Sequence, residues 1–292
     1  MSNPVLSTRG IFTPAQPQYV APSQGLNGYA PSAGAPGGYA QPYAYQPAAP
    51  GAAQPGYEAP AWQPPAQAVE RMTFDDVLQK TAISLGVLFL VAAFAYLFLP
   101  DQILYPVGVI GGLCAFIAPV MVARRRTAGP AGNIVYALTE GLLLGAFSKI
   151  FESAYPGIVI QGVVGTFAAA AVTLAAYHFG GFRLSSRLAK MVRVGVIAFC
   201  GVALVNLVMA FCGVNTGLFP GPTEQVSGLA WVMVLLGIGL AVFSLVDDFQ
   251  YVEAGVQMGA PREQGWVAAF GLSVTLVWLY INILRVLSYL RH

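Results

Sequence analysis

Long apolar runs, separated by short polar connections, make up most of the sequence from Ala82 onward. Each run has about 19 residues or more, which at about 1.5 Å of helical rise per residue crosses the roughly 30 Å hydrocarbon core of a bilayer. The runs cover residues 82–100, 103–123, 133–151, 158–179, 194–213, 229–247 and 266–287. Because lipid offers the backbone no hydrogen-bond partner, such a segment crosses it as a helix. The sequence therefore predicts an all-α polytopic membrane protein with seven transmembrane helices.

The composition supports this class and excludes several others. Of the 292 residues, 57% are hydrophobic and only 9% are charged, whereas a soluble domain carries about a quarter charged residues. The net charge of +2 is too small for a broad phosphate-binding face, so we expect the lipid bilayer and no nucleic acid as partner. The three cysteines lie inside apolar runs without CxxC spacing, which argues against a disulfide framework or a zinc site.

Residues 1–70 differ in composition from the rest of the chain. They contain 13 of the 21 prolines and six tyrosines, interspersed with Gly, Ala and Gln. Such a segment buries too little apolar surface to offset the entropy lost on folding. We therefore predict a disordered cytoplasmic tail over residues 1–70 and a transmembrane domain over residues 71–292. A spacer is the simpler interpretation of the tail, and a multivalent docking arm is the alternative.

The distribution of lysine and arginine predicts the orientation of the helices. Ten basic residues precede the first run or lie in the connections after the second, fourth and sixth runs, and two end the last run. The ten are Arg71, Lys80, Arg124, Arg125, Arg126, Arg183, Arg187, Lys190, Arg193 and Arg262, and the two are Arg285 and Arg291. Because basic residues concentrate on the cytoplasmic side, we expect a multi-pass protein of the plasma membrane with its N-terminus inside and its C-terminus outside.

Polar residues inside three of the runs are the candidate functional residues. A charge at membrane depth costs roughly 2.5–3.5 kcal/mol on insertion scales and usually marks a function. Glu140 lies in the third run, Asp247 and Asp248 end the sixth, and Asn282 lies deep in the seventh. No phosphate loop, nucleophile–base pair or metal-ligand spacing is present, so the sequence predicts neither an enzyme nor a bound cofactor.

Each candidate also has a simpler structural interpretation. Glu140 could reach the interface or remain protonated. Asp247 and Asp248 point about 100° apart on a helix, so only one of them can face the interior squarely. Both could instead be solvated among the cytoplasmic headgroups. Asn282 could simply join two helices by a hydrogen bond. Helical periodicity alone leaves these alternatives open.

Five segments of the chain carry a resemblance to a known family. They are MSNPVLS, RMTFDDVLQKTAISLG, YALTEGLLLGAFS, SLVDDFQYVEAGVQMGAP and WVAAFGLSVTLVWLYINILR. These segments resemble the actinobacterial branch of the Bax inhibitor-1/YccA family, and the similarity covers the hydrophobic region over about residues 71–291. The resemblance implies a seven-helix fold whose last helix is central and is enclosed by the other six.

The resemblance also implies a pH-sensitive calcium-leak channel. The resemblance implies an aspartate pair between the sixth and seventh helices, as in characterised members. The two aspartates hydrogen-bond to each other while they share a proton, and this contact opens when the proton is lost. By position, Asp248 falls on the sixth-helix aspartate, and Asn282 stands where the seventh-helix acid is expected. An Asp–Asn pair can hydrogen-bond but cannot share a proton between two carboxylates. Asp247 is therefore the candidate for the second acidic role, and Glu140, which matches an EG motif of the family, is the next candidate for gating.

Calcium is expected as a transported ion rather than as a cofactor. Asp248 and Glu140 carry the hard oxygen ligands that suit calcium, so they are the predicted metal-binding residues. The alternative function is a non-enzymatic regulator or partner of a membrane-bound AAA protease in membrane-protein quality control. The predicted tail suits that alternative, because an unfoldase can grip an unstructured end.

Overall fold

Six long helices account for most of the described chain. The computed structural model describes residues 70–100, 102, 103, 106, 129–214 and 216–291. The helices are α1 (Phe74–Phe98), α2 (Pro130–Ala154), α3 (Ile158–His178), α4 (Ser186–Phe211), α5 (Gly228–Gln257) and α6 (Gln264–Leu290). These residues contain no β-strand, and one isolated antiparallel bridge pairs Arg71 with Pro261. The predicted all-α class is therefore confirmed for the part of the chain that the structure describes.

Side chains and backbone geometry explain where several helices begin. Thr73, Ser185 and Ser227 each accept a hydrogen bond from the backbone amide three residues further along, at 3.1 to 3.3 Å. Such N-caps satisfy one of the amides that have no partner within the helix. Pro130 opens α2 at a position where its missing N–H costs nothing.

The structure confirms six of the seven predicted apolar runs as helices. Each of the six is long enough and apolar enough to cross a membrane. The second predicted run, residues 103–123, falls almost wholly outside the described residues, as do residues 1–69 of the predicted tail. The helix predicted for the second run, and with it the total of seven spans, therefore stays a prediction, as does the tail.

Three helices continue well beyond the apolar runs that predicted them. α5 does not end near Asp247 but continues for ten more residues to Gln257. α4 begins early enough to include Arg193, which the sequence placed in a connection, and α1 includes Lys80, which it placed before the first run. These charged side chains have partners on other parts of the chain, and hydropathy does not reveal such pairing.

The helices run between two ends of the bundle, here called the near end and the far end. α1, α2, α4 and α6 begin at the near end, where the Asn133 side chain donates to the Trp266 carbonyl oxygen at 2.7 Å. α3 and α5 begin at the far end, where the Tyr155 hydroxyl donates to the Pro222 carbonyl oxygen at 3.0 Å. Later paragraphs place each site by these two ends.

Two glycines bring α2 close to α1. A Cβ at Gly141 would lie 2.7 Å from the Leu88 carbonyl oxygen, and a Cβ at Gly145 would lie 2.6 Å from the Ala95 Cβ. Small residues one turn apart allow this approach, as the glycine spacing predicts. The two helices run parallel, so Leu99, after the end of α1, and Pro130, at the start of α2, lie at opposite ends of the bundle. That is the arrangement expected if one further span joins them.

The last helix lies inside the described part of the bundle. α6 packs against α1, α2, α3 and α5. Its residues Ala269, Leu279 and Leu284 have no exposed surface. This is the place that the resemblance implies for the last helix. Enclosure by six others stays a prediction, since the second run is not described.

The outer faces of the helices are apolar, and polar residues lie inside. Leu90, Ile160 and Ile197 are 71% to 75% exposed, whereas Asn133 and Ser273 have no exposed surface. A soluble protein covers its surface with polar and charged groups, and lipid favours the opposite arrangement. The described chain is thus a multi-span membrane protein whose outer faces suit lipid.

We predict that Gly145→Ala destabilises the protein by about 1–3 kcal/mol, because the added methyl group overlaps α1. The measurement is the thermal unfolding midpoint of the full-length protein in detergent. Gly86→Ala is the matched control, since nothing lies within 4 Å of a Cβ at that position in α1. Alanine there should leave the midpoint unchanged or raise it. Equal midpoints for the two variants would contradict the close packing of α1 and α2.

Candidate functional site

Asp248 lies on the part of α5 that packs against α6. Its Oδ2 accepts a hydrogen bond from the Thr275 hydroxyl of α6 at 2.6 Å. A Cβ at Gly271, one turn earlier on α6, would lie 3.2 Å from Asp248 Oδ1. The side chain is half-buried. The carboxylate is therefore held at the contact between the last two helices.

Asn282 contacts α5 at a different height from Asp248. Its Nδ2 donates to the Trp278 carbonyl oxygen of its own helix at 2.8 Å, and its Oδ1 leaves no room for a Cβ at Gly237. Gly237 precedes Asp248 by 11 residues on α5, which is about 16 Å of helix. The predicted pairing of Asp248 with Asn282 is therefore wrong. Thr275, two turns before Asn282, is the residue of α6 that bonds the aspartate.

Asp247 has a different partner from its neighbour. Its two carboxylate oxygens accept from Arg193 Nε at 2.8 Å and Nη2 at 3.0 Å, so the side chain is directed toward α4. The Arg193 side chain is 66% exposed, and a pair of this kind contributes about 0.2–1 kcal/mol. The two adjacent aspartates thus connect α5 to α4 and to α6. A second acidic role for Asp247 stays a prediction.

Glu140 lies inside the bundle on α2. It is 4% exposed, so the alternative in which it reaches the interface is wrong. Tyr136 and Leu144, one turn away on either side, belong to a hydrophobic core that includes Phe270 and Val277 of α6. No described residue donates a hydrogen bond to the Glu140 carboxylate. A carboxyl group in such surroundings is costly to ionise and usually serves a function.

Glu140 and Asp248 lie beside the same stretch of α6. The Tyr136 and Phe270 rings pack with their centroids 4.8 Å apart. Because α2 and α6 are parallel, Glu140 lies about one turn further along α6 than Phe270. Asp248 bonds Thr275 in that same part of α6. The two carboxyl groups therefore approach the central helix from two neighbouring helices.

The described residues contain no cluster of three or more His, Cys, Asp or Glu side chains that could hold a metal ion. Asp248 and Glu140 come from different helices, and Asp247, the acid next to Asp248, is directed toward Arg193 of α4. A closed, high-affinity metal site is thus not formed by these residues. Their role as calcium ligands during transport stays a prediction.

Sequence reasoning missed an ion cluster at the near end. Lys80 Nζ lies 2.5 Å from Asp76 Oδ2 and 2.6 Å from the Arg262 carbonyl oxygen. Arg262 Nε lies 2.9 Å from Asp76 Oδ1, and its guanidinium also pairs with Glu70. Asp76 is 9% and Lys80 is 7% exposed. The spacing of Asp76 and Lys80, four residues apart on one helix, was the available signal.

The cluster extends from α1 to α2 and α6. Asn133 Oδ1 lies 3.2 Å from the Ser84 hydroxyl, and Lys80 Nζ lies 5.5 Å from the centre of the Trp266 ring. Hydrogen bonds to Glu70 and to Asp76 raise the pKa of the Arg262 guanidinium, so it stays charged at any physiological pH. The start of α1 is thus fixed to the turn between α5 and α6.

Comparison with known proteins places the chain. A family model described as Bax inhibitor 1 like matches residues 3–292. The chain belongs to the Bax inhibitor 1-like family. A search of curated proteins finds none that matches. The family resemblance seen in the sequence is therefore confirmed, and with the six apolar helices it makes the chain a multi-span membrane protein.

Within this Bax inhibitor 1-like protein, the site departs from the arrangement that the resemblance implies. A hydroxyl group, from Thr275, faces the sixth-span aspartate in place of an acid or amide. A single carboxylate therefore carries the charge at this contact, and the like-charge repulsion of an aspartate pair is absent between these two residues.

We predict that Asp76→Asn destabilises the Bax inhibitor 1-like protein by about 3–5 kcal/mol, because Lys80 then stays buried without an ionised partner. The thermal unfolding midpoint in detergent checks this. Asp75→Asn, at the exposed neighbouring position, is the control and should change stability by less than about 0.5 kcal/mol. Equal losses in the two variants would show that the cluster does not hold α1 in place.

Proposed function

We propose that this Bax inhibitor 1-like protein is a non-enzymatic, pH-sensitive leak pathway for cations, with calcium as the transported ion, and that Asp248 controls it. The proposal depends above all on one observation. A half-buried carboxylate, between two apolar helices, is held by a hydrogen bond from Thr275 at 2.6 Å. An ionisable group in that position is expensive to maintain without a function.

Loss of the Asp248 proton favours opening of the contact between α5 and α6. The neutral carboxyl group is tolerated between apolar helices. Removing the ionised form from water costs several kcal/mol of solvation free energy. One hydrogen bond to a charged group contributes only about 1.5–3 kcal/mol, so Thr275 replaces part of that hydration. The ionised protein therefore gains by admitting water to Asp248. Flux is expected to rise as pH rises.

Glu140 is the proposed second carboxylate of the pathway. It is buried on α2 beside the same part of α6 that Asp248 contacts. Carboxylate oxygens from two helices suit calcium, which accepts irregular oxygen coordination and must leave as readily as it enters. The two carboxylates would coordinate calcium transiently during transport and would not hold it as a permanently bound ion.

The proposed location is the plasma membrane, with the near end in the cytoplasm. Arg183, Arg193 and Arg262 lie at the near end, as expected for the side that carries the excess of basic residues. Arg285 and Arg291 lie toward the far end, which this orientation places outside.

We predict that Asp248→Asn abolishes the pH dependence of calcium flux in proteoliposomes and leaves flux at the low level of the acidic wild type. The amide cannot ionise, so the driving force for opening is lost. Asp247→Asn is the matched control: it removes the neighbouring carboxylate, which pairs with Arg193, and should retain a rise in flux with pH. Flux of Asp248→Asn that still rises with pH would refute the proposal.

We predict that Thr275→Val moves the rise in flux to a pH about one unit higher, because the ionised Asp248 loses its donor. Thr275→Ser keeps the hydroxyl and should titrate like the wild type. The measurement is initial calcium flux across a pH series. Identical midpoints for the valine and serine variants would mean that this hydrogen bond plays no part in gating.

The alternative function, a regulator or partner of a membrane-bound AAA protease, stays a prediction. It depends on the predicted tail, of which residues 1–69 lie outside the described residues. Removing those residues distinguishes the two functions. A leak pathway should keep its pH-dependent flux, whereas a tail-dependent partner should lose co-purification with the protease.

A further inference from the structure

Arg285 lies on the lipid-spanning helix α6 with aromatic rings for neighbours. Its guanidinium carbon is 4.8 Å from the centre of the Phe219 ring and 5.8 Å from that of Phe147. No described residue forms an ion pair or hydrogen bond with it. Cation–π contacts compensate part of the cost of removing a guanidinium from water, but they leave its five N–H donors without acceptors.

Two further donors without partners lie on the same side of α6. The hydroxyls of Ser288 and Tyr289 are buried and form no hydrogen bond with any described residue. Ser288 is 1% and Tyr289 is 5% exposed. They follow Arg285 by three and four residues, so the three side chains lie along one face of the helix. Buried hydroxyls almost always find a partner, so two of them without one, beside a guanidinium that no described residue pairs with, point to an acceptor from outside the described chain.

The acidic side chains of this region are already engaged. Glu152 accepts hydrogen bonds from the Gly157 amide at 2.6 Å and the Val159 amide at 3.0 Å, at the start of α3. Glu224 accepts from the Gly221 amide at 3.0 Å within its own loop. These are the two described carboxylates at the far end, and neither pairs with Arg285. Glu224 lies near enough to Tyr289 to act on its hydroxyl electrostatically, but neither carboxylate forms an ion pair with the Arg285 guanidinium.

The position of Arg285 along α6 puts its long side chain within reach of the lipid headgroups. Arg285 precedes the last residue of α6 by five positions, or about 8 Å. α6 spans about 40 Å with its 27 residues, so a hydrocarbon core of about 30 Å ends near Arg285. Phosphate oxygens are acceptors only, and they match the planar fork of a guanidinium.

We propose that Arg285, Ser288 and Tyr289 form a phosphate-binding site at the far end of the bundle, with Phe219 and Phe147 beside the guanidinium. The phosphate belongs either to a phospholipid headgroup or to a dissolved anion, and the same three donors serve both. The site is separate from the Asp248 contact, and its existence does not depend on ion conduction.

The lipid arm of the test is native mass spectrometry of the full-length protein with phosphatidylglycerol in detergent. The wild type should retain lipid adducts. Arg285→Gln should weaken binding about tenfold or more, since a charge-assisted hydrogen bond is lost. Arg291→Gln is the matched control: Arg291 lies at the same end, but its guanidinium donates to the Pro156 carbonyl and Gln161 oxygens. It should keep the adducts.

The second arm measures the thermal midpoint of the same proteins in inorganic phosphate and in sodium chloride of equal ionic strength. A stabilisation by phosphate that depends on Arg285 identifies a dissolved anion, and adducts that depend on Arg285 without this stabilisation identify a lipid headgroup. If neither measurement differs between wild type and Arg285→Gln, the proposal is overturned.

A double variant, Ser288→Ala with Tyr289→Phe, guards against a folding defect. Because the two hydroxyls have no partner within the described chain, their removal should leave the midpoint of the ligand-free protein unchanged or higher. Binding should nevertheless weaken several-fold. Full retention of binding in this double variant would also overturn the three-donor site.

Discussion

Close approach between helices is the constraint on which the rest of the structure depends. In a bilayer the hydrophobic effect does not drive helices together, so packing and hydrogen bonds must do so. Glycines supply the room at the central helix. A Cβ at Gly162 would lie 2.8 Å from Leu284, one at Gly265 would lie 2.6 Å from Asp76, and Gly237 is in direct contact with Asn282. A side chain at any of these three glycines, two on neighbouring helices and one on α6 itself, would collide with the residue facing it.

The close packing also determines what each polar side chain inside the bundle costs or contributes. Once water is excluded from the interior, each buried polar side chain either finds a partner or creates a cost. Asp248 has Thr275, Asp76 has Lys80 and Arg262, and Glu140 has no described donor. The first and last of these lie beside the middle of α6, where the proposed gating needs an ionisable group. The ion pairs of Asp76 with Lys80 and Arg262 at the near end stabilise one fixed arrangement.

The sequence predicted the number and type of the described helices well, since twenty-residue apolar runs admit few alternatives. It also singled out Asp248 and Glu140 as ionisable groups within apolar runs, and the structure places the first half-buried and the second buried. It failed where pairing between distant elements decides the outcome. Helical periodicity indicates which face of α5 carries Asp248, but not which residue of α6 lies opposite. That register depends on side-chain shapes along both helices. The sequence therefore suggested Asn282 as the partner of Asp248, whereas the structure shows Thr275. Arg262, alone in a short turn, carried no local signal.

The backbone pairing of Arg71 with Pro261 has a mechanical consequence. It is flanked by hydrogen bonds from the Met72 amide to Ala260 and from the Arg262 amide to Glu70, both 2.8 Å long. The strand-like segment ahead of α1 is therefore fastened to the corner that joins the two final helices. Tension on the upstream chain reaches that corner before it reaches any membrane span. A force applied upstream of residue 70 would therefore act first on the connection between α5 and α6.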